Sequence, residues 1–269
     1  MKTAYKDDQL FNGFFVFILL CYVLFIFIIT GSVLFYTEPN VLIKNLFSKE
    51  TLFAVKLSLS TSLFTTIIAI LLSIPTGYCL SRFDFRGKDI LDTIIDLPIV
   101  LPPLVMGLCL LVFFNTRLGQ LIESHGIRFV FTVSGIILAQ FAISASFAIR
   151  AMKLSFDNLD PKYEEAARTL GCNNIQTFLK ITLPMVKMGL VSGAVMTWTR
   201  AVGEFVPILL LCGAQRMKTE IMPIAIFLKF EVGDIEGAVA LTILFLFLTS
   251  AYLIVFKKMS TLSTKRLHQ

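Results

Sequence analysis

The chain has 269 residues, of which 56% are hydrophobic and 16% are charged, and its mean hydropathy is +0.82. A composition so poor in polar residues excludes an ordinary soluble globule of this size and favours a membrane protein. The formal charge of +6 does not indicate a nucleic-acid partner, because the basic residues lie mainly between apolar runs, where they act as topology signals.

The sequence lacks motifs for common enzyme chemistry. It contains no HExxH, no GxSxG and no GxxxxGK[ST] phosphate-binding loop, and its two histidines, His125 and His268, lie far apart. The five cysteines are widely spaced without a CxxC pair, so we expect free thiols. We therefore expect no catalytic residues, no metal site and no cofactor in this chain.

Six apolar runs are long enough to be membrane-spanning helices. We predict an all-α polytopic membrane protein in which residues 1–269 form a single transmembrane domain. The first run could also be a signal peptide, but its length of about 26 residues and its bulky apolar end favour an uncleaved span. The predicted spans are residues 11–36, 53–80, 99–114, 129–149, 188–211 and 238–256.

The distribution of Lys and Arg predicts the orientation of these spans. Six spans place both termini on the same side of the membrane. Of the 24 Lys and Arg residues, 15 lie in the termini and loops of that side and seven in the opposite loops. Since positive charge accumulates in cytoplasmic loops, both termini are predicted to be cytoplasmic.

Proline and glycine interrupt several of the predicted spans. Pro98, Pro102 and Pro103 precede Gly107 in the third span. Non-helical backbone at membrane depth persists only where protein buries it or where it lines a wet cavity. Residues 97–103 therefore indicate either a broken segment beside a transport pathway or an interfacial bend before an ordinary helix.

The longest polar segment, residues 150–187, lies between the fourth and fifth predicted spans. We expect one helix to begin with Asp160 as its N-cap and to end at Gly171. A second short helix is expected to begin at Asn173 or Asn174. By periodicity alone, the segment could equally be a solvated hairpin that only links two spans.

The order of residues in this segment favours a specific role over a simple connection between two spans. Glu-Ala-Ala is followed by three residues, a Gly, nine residues, an Ile, one residue and Leu-Pro. The spacing resembles the EAA loop of the permease subunits of binding-protein-dependent ABC importers, and every specified position matches. These positions are Glu165, Ala166, Ala167, Gly171, Ile181, Leu183 and Pro184.

The resemblance implies several partners for the permease. The EAA loop would form a coupling helix seated in a groove of a separate ABC ATPase subunit, present in two copies, which binds ATP and Mg. Two permease copies would form a homodimer around a central pathway and work by alternating access. The resemblance also implies an extracytoplasmic substrate-binding protein and a location in the cytoplasmic (inner) membrane of a bacterium or archaeon.

Two opposite charges lie inside the fifth predicted span. Arg200 and Glu204 are four residues apart and share one helix face, and charges at membrane depth are costly unless they face a bundle interior or a cavity. The pair is either a structural ion pair or, together with Thr199, part of the substrate pathway or its gate. Pro102 and Pro103 are candidates for the same pathway.

Residues 199–205 also resemble a segment of the molybdate, tungstate and sulfate permease group, as do residues 97–104 and 222–240. This resemblance implies a small oxyanion as substrate, with molybdate or tungstate first and sulfate, thiosulfate or another small solute as the alternative. Val206 and Pro207 depart from the small residues expected at these positions.

Two other classes of protein compete with the importer permease. A secondary transporter or channel working alone needs intramembrane acids for coupling ions, and the spans offer few beyond Glu204, with Asp92 and Asp96 near an interface. A membrane enzyme needs a nucleophile or a metal cluster, and no recognisable one is present.

In the loop 213–236 we expect either a short helix at the outer membrane face that helps to seat a binding protein, or a loop without partner contacts.

Overall fold

The computed structural model describes residues 2–36 and 39–265, so residues 266–269 of the predicted cytoplasmic tail lie outside it. All regular secondary structure in the described residues is helical, which confirms the all-α prediction. A 3₁₀ turn, Val33–Phe35, follows the first helix, and a π-helical segment, Phe178–Thr182, follows the ninth. The helices are α1 (Lys2–Ser32), α2 (Pro39–Leu46), α3 (Lys49–Arg82), α4 (Lys88–Val100), α5 (Pro103–Asn115), α6 (Arg117–Ser124), α7 (Val133–Asp157), α8 (Lys162–Thr169), α9 (Asn174–Thr177), α10 (Leu183–Met185), α11 (Lys187–Val202), α12 (Val206–Cys212), α13 (Met222–Glu231) and α14 (Ile235–Lys265).

Four of the described helices, α1, α3, α7 and α14, are long and apolar enough to cross a membrane singly. The number rises to six if each of two bent pairs is counted as one span. Helices α4 and α5 meet at an angle of 110°, and the segment Asn174–Met185 meets α11 at 65°. Within the range predicted as the fifth span, 188–211, the helix stops at Val202 and resumes at Val206.

Helix α3 has its polar face inside the protein and its apolar face outside. Seven of its hydroxyl residues are buried, whereas large apolar side chains such as Leu63, Phe64 and Leu71 are more than half exposed. A helix in lipid gains little from burying leucine, so small and hydroxyl residues collect where helices meet. The buried hydroxyl residues are Thr51, Ser58, Thr61, Ser62, Thr65, Thr66 and Ser73.

The centre of the bundle is formed by α3, α7 and α11. Gly77 of α3 lies against Met152 of α7, where an added Cβ would come within 2.9 Å of the Met152 Cβ. Gly189 and Gly193 of α11 lie against Ser155 and Ala151 of α7 in the same way. The glycines thus allow the three helix backbones to approach closely.

The bundle has two distinct ends. Residues 158–186, which we call the hairpin, pack at the end where α3 finishes, since Arg82 donates to the Leu159 carbonyl oxygen at 2.7 Å. At the opposite end, α13 begins beside the start of α3, where the Met222 N–H donates to Ser58 Oγ at 2.7 Å. The short helix predicted in the loop 213–236 is therefore present as α13.

Helix α1 stands apart from this core. Its apolar segment Phe11–Phe35 is 25 residues long, and none of its best membrane window is buried inside the described chain. Its side chains from Phe11 to Ile29 are exposed throughout. An apolar surface of this size requires lipid or another protein chain around it.

Candidate functional site

The first helix of the hairpin, α8, begins at Lys162, directly after Pro161. The N-cap position is Pro161, one residue after the predicted Asp160, but Asp160 Oδ1 still accepts a hydrogen bond from the Lys162 N–H at 3.0 Å. The helix ends at Thr169 with Leu170 as its C-cap, and Gly171 follows with a φ of +91°, which favours glycine. The predicted extent of this helix is thus close to the observed one.

Helix α8 shows two different faces. Glu164 and Ala167 are buried against the bundle. Tyr163, Ala166 and Leu170 lie on the outer face with Glu165 beside them, and all four are exposed, Leu170 to 86%. The outer face therefore offers apolar surface around one small residue, with a carboxylate at its side, to a partner.

The buried face of α8 is held by the carboxylate of Glu164, which is 2% exposed. Its Oε1 accepts from Arg82 Nε at 3.3 Å and from Thr182 Oγ1 at 3.1 Å, and its Oε2 accepts from Tyr78 Oη at 3.3 Å. Arg168 approaches the same carboxylate to 3.7 Å from the exposed side. We call Glu164, Tyr78, Arg82 and Thr182 the Glu164 junction.

The second part of the hairpin begins with a capping box. Asn173 Oδ1 accepts from the Gln176 N–H at 2.8 Å, and Gln176 Oε1 accepts from the Asn173 N–H at 3.1 Å. This confirms the predicted start at Asn173 or Asn174. The π-helical segment then supplies Thr182 to the Glu164 junction, and such segments occur frequently at functional sites.

The remaining positions of the EAA pattern fix how the hairpin joins the bundle. Ile181 and Leu183 are half-buried, and Leu183 packs on the apolar cluster of Met152, Phe156 and neighbouring residues. Pro184 is exposed just before the 65° bend into α11. Leu183 thus joins the hairpin to the bundle, while Glu165, Ala166 and Pro184 are exposed.

A cleft of about 650 Å³ opens between the end of α3 and the hairpin. Arg82, Glu164 and Arg168 line it together with apolar side chains such as Ile175 and Leu179. The cleft and the exposed face of α8 thus lie at the same end of the bundle.

The Arg200–Glu204 pair lies where the fifth span is broken. Arg200 Nη1 forms an ion pair with Glu204 Oε2, and Glu204 is 2% exposed. Residues 203–205 between α11 and α12 are not helical. Thr199 is exposed, and its hydroxyl donates to the Val195 carbonyl oxygen at 2.8 Å. Arg200 and Glu204 therefore form an ion pair, with one partner on a helix and the other in a break.

Pro102 and Pro103 lie at the sharp bend between α4 and α5. Pro102 is exposed and Pro103 is half-buried. Beyond the bend, α5 packs on α12, and an added Cβ on Gly107 would come within 2.7 Å of Pro207 Cα. The structure thus brings together the segments that follow the two breaks.

A second arginine cluster holds the bent segment in place. Arg150 of α7 donates from Nε to Asp96 Oδ1 at 2.5 Å and from Nη1 to Asp92 Oδ1 at 2.6 Å. A third bond joins its Nη2 to the Asp92 carbonyl oxygen at 2.7 Å. Asp92 and Asp96 therefore clamp α4 to α7 through a bidentate arginine.

At the opposite end of the bundle, two acids have pKa values shifted in opposite directions. Burial raises the pKa of Glu220, whose Oε2 accepts from the Met217 N–H at 2.8 Å. The bond from Lys229 Nζ to Asp234 Oδ2, at 2.9 Å, lowers the pKa of Asp234. Among the described residues, no group of three or more His, Cys, Asp or Glu is placed to bind a metal ion.

Comparison with known proteins identifies the family. Residues 69–261 match the model of the "binding-protein-dependent transport system inner membrane component". This chain is a member of that family. It is accordingly a multi-pass inner-membrane permease subunit of an ABC importer.

Curated relatives of this permease have named substrates. The "molybdate/tungstate transport system permease protein WtpB" of Thermococcus kodakarensis is 38% identical over 65% of this chain and 66% of its own length. The "molybdenum transport system permease protein ModB" of Escherichia coli is 34% identical over 76% of this chain and 93% of its own length. The "sulfate transport system permease protein CysT" of Salmonella typhimurium is 32% identical over 70% and 69%, respectively.

The fold is also that of a solved importer. A chain of the crystal structure of a bacterial alginate ABC transporter, in complex with its alginate pentasaccharide-bound periplasmic protein, superposes on the permease with a TM-score of 0.75. The two share 16% sequence identity, and the match covers 97% of the permease and 96% of that chain. The likeness therefore concerns the fold alone.

The residues predicted from the sequence fall into two separate regions of the permease. The EAA positions lie in the hairpin, and Arg200 lies 13 residues into α11, which corresponds to about 20 Å along the helix. The sequence pattern alone does not single out Glu164, Tyr78, Arg82 or Thr182. A signal was present, since Tyr78 and Arg82 are four residues apart at the end of a span, but nothing in the pattern connects them to the hairpin.

Proposed function

We propose that this permease carries a small oxyanion, molybdate or tungstate, through a pathway formed with a second copy of the chain. The substrates named for two relatives and the likeness of residues 199–205 to the molybdate, tungstate and sulfate group support this choice. Sulfate or thiosulfate is the second candidate, because a sulfate permease is related at 32% identity and because Val206 and Pro207 depart from the expected pattern.

The ATPase of this importer is a separate chain that docks on the hairpin. The observation that carries this proposal is the exposed outer face of α8, with Tyr163, Ala166 and Leu170 outside and Glu165 at its edge. The sequence contains no phosphate-binding loop, so ATP and Mg bind to the partner ATPase, of which two copies serve two permeases. The permease contributes no cofactor of its own.

Transport proceeds by alternating access. When ATP closes the two ATPase subunits, each docked α8 moves with its subunit, and the spans shift between inward-facing and outward-facing states. The breaks at Pro102-Pro103 and at residues 203–205 supply non-helical backbone at membrane depth, which lines or gates a wet cavity. Arg200 meets the oxyanion there when Glu204 turns away from it, and Thr199 lies beside it.

The arrangement in the membrane follows from the same features. The hairpin end faces the cytoplasm, both termini are cytoplasmic, and the substrate-binding protein docks at the opposite end near α13. Lipid and the second permease copy cover α1, whose apolar segment is unburied within one chain. The two copies are identical, so the pathway lies on a two-fold axis.

Co-expression with a cognate ABC ATPase tests the docking proposal. Leu170→Asp places a charge on the exposed face of α8 without disturbing the core, and Glu165→Lys reverses the adjacent charge. We expect both variants to lose co-purification of the ATPase and ATP-driven uptake. Leu118→Asp changes another exposed leucine, on α6, and should keep co-purification. Unchanged assembly and uptake in both hairpin variants would contradict the proposal.

Uptake by the reconstituted complex tests the substrate. Proteoliposomes that hold the complex, assayed with the binding protein present, should accumulate molybdate or tungstate. Unlabelled tungstate should inhibit this uptake better than sulfate. If sulfate competes best, the second candidate replaces the first.

A further inference from the structure

The Glu164 junction joins three parts of the chain that the backbone does not connect directly. Glu164 lies on α8, Arg82 lies 82 residues away at the end of α3, and Thr182 lies 18 residues away in the π-helical segment. Tyr78 adds a third contact to Glu164, at a separation of 86 residues. One carboxylate therefore accepts hydrogen bonds from both α3 and the far arm of the hairpin.

The junction gives α3 a link that the backbone does not provide. The backbone connects the hairpin to α7 on one side and to α11 on the other, whereas α3 ends at Arg82 and leads into α4. Displacement of α8 can therefore pull α7 and α11 directly, but it reaches α3 only through side chains. The polar part of that contact centres on the Glu164 carboxylate, which is 2% exposed, and on Arg82, whose side chain is 12% exposed.

Apolar contacts surround the same link. The ring of Tyr78 packs edge to face on Phe156 of α7 and on Phe178 of the π-helical segment, with centroids 5.3 Å and 4.9 Å apart. Arg82 also donates to the Leu159 carbonyl oxygen at 2.7 Å, just before α8. Both α3 side chains are thus held by the hairpin from more than one direction, which restricts their motion relative to Glu164.

We propose that Glu164, which lies outside the EAA pattern, is the positioning residue that makes α3 move with the docked hairpin. This inference rests on the proposed docking of an ATPase to α8. With the junction intact, movement of α8 displaces the end of α3, and α3 transmits it along its contact with α7 and α11. With the junction weakened, α8 still follows the ATPase but α3 lags, so ATP is hydrolysed without a matching amount of transport.

The test compares Glu164→Gln and Arg82→Gln with Asp84→Asn and Arg86→Gln in the complex with ATPase and binding protein. The control side chains lie in the exposed segment just beyond α3, and that of Asp84 is 97% exposed. We expect the Glu164 and Arg82 variants to co-purify with the ATPase and to hydrolyse ATP, while uptake per ATP falls about fivefold or more. The control variants should keep the wild-type ratio.

A double variant and two milder substitutions complete the test. Glu164→Gln with Arg82→Gln should lose less uptake per ATP than the sum of the two single losses, because both substitutions weaken the same contact. Tyr78→Phe and Thr182→Val each remove one hydrogen bond and should lower the ratio less. They decide the matter if Glu164→Gln does not fold, and a wild-type ratio in both of them would overturn the proposal.

The outcomes separate this proposal from the one on which it rests. Failure of the wild-type permease to bind the ATPase would remove the docking function itself. Normal docking with a wild-type ratio in Glu164→Gln would overturn only the role of Glu164. Loss of ATPase binding in all four junction variants would show a purely structural role and would likewise overturn it.

Discussion

Two buried glutamates of the permease, Glu164 and Glu204, are each paired with an arginine but are placed in opposite ways. Glu164 accepts from residues that lie 18 to 86 positions away in the chain. Glu204 pairs with Arg200, four residues earlier, across the end of α11. A carboxylate bound by distant segments holds them together, whereas a local pair in a helix break can open without separating any elements. The Glu164 contacts are therefore suited to fixing segments at one end of the permease, and the Arg200–Glu204 pair is suited to a local rearrangement in its middle.

Removal of the Glu164 carboxylate should give the largest effect on stability. Glu164→Ala leaves the largely buried Arg82 without its acid, and breaking a buried pair in this way costs about 3 kcal/mol or more. We expect a lower midpoint of thermal unfolding for the purified permease in detergent. Asp84→Ala, at a side chain that is 97% exposed, should shift it little. Equal shifts of the unfolding midpoint in both variants would contradict the stabilising role of the Glu164 carboxylate.

Removal of Arg200 should affect transport more than assembly. A charge-assisted contact contributes about 1.5 to 3 kcal/mol, so Arg200→Ala should lower uptake about tenfold or more. Co-purification of the ATPase should stay normal, because the hairpin lies about 20 Å away along α11. Arg200→Lys keeps the charge and should retain part of the uptake. Normal transport by the alanine variant would leave the pair a structural one.

The capping box offers a smaller and local change. Asn173→Ala removes the acceptor for the Gln176 N–H and should destabilise the start of α9 by about 1 kcal/mol. Hydrogen exchange of the backbone amides of residues 174–177 should accelerate, while α8 stays protected by the Glu164 junction. Equal acceleration across α8 would show that the hairpin unfolds as one unit and not as two.

The smallest effects are expected from the two acids at the opposite end. The raised pKa of Glu220 contributes stability at low pH that is lost as the pH rises above 4.5. Glu220→Gln should therefore be more stable than the wild type at pH 7, with a difference that narrows in acid. The lowered pKa of Asp234 contributes stability above 3.8 that is lost below it, so Asp234→Asn should be less stable at pH 7. Thermal unfolding between pH 3 and pH 8 measures both differences, and curves of the same sign would contradict the assignment.

The sequence predicts the membrane fold and the hairpin well, because both depend on local patterns. The membrane fold follows from the length of the apolar runs. The hairpin follows from turn and cap signals that act over a few residues, at Asp160, Gly171 and the Asn173 capping box. The sharp bend at Pro102 follows from the restricted backbone of proline, but its angle of 110° depends on the packing of α4 on α7 and of α5 on α12. The Glu164 junction could not be predicted, because only the folded bundle brings residues 78 and 182 beside position 164.

The inward-facing hydroxyls of α3 have a consequence for the biogenesis of the permease. Thr61, Thr66 and Ser73 donate to carbonyl oxygens three or four residues earlier in the same helix, so these groups are satisfied before any neighbour arrives. Thr65 differs, because it donates to Gln140 Oε1, 75 residues later in the chain. While the ribosome is still synthesising α7, α3 can thus reside in the bilayer with few unpaired polar groups. The hydrogen bond from Thr65 to Gln140 then forms when α7 has been inserted and pairs with α3.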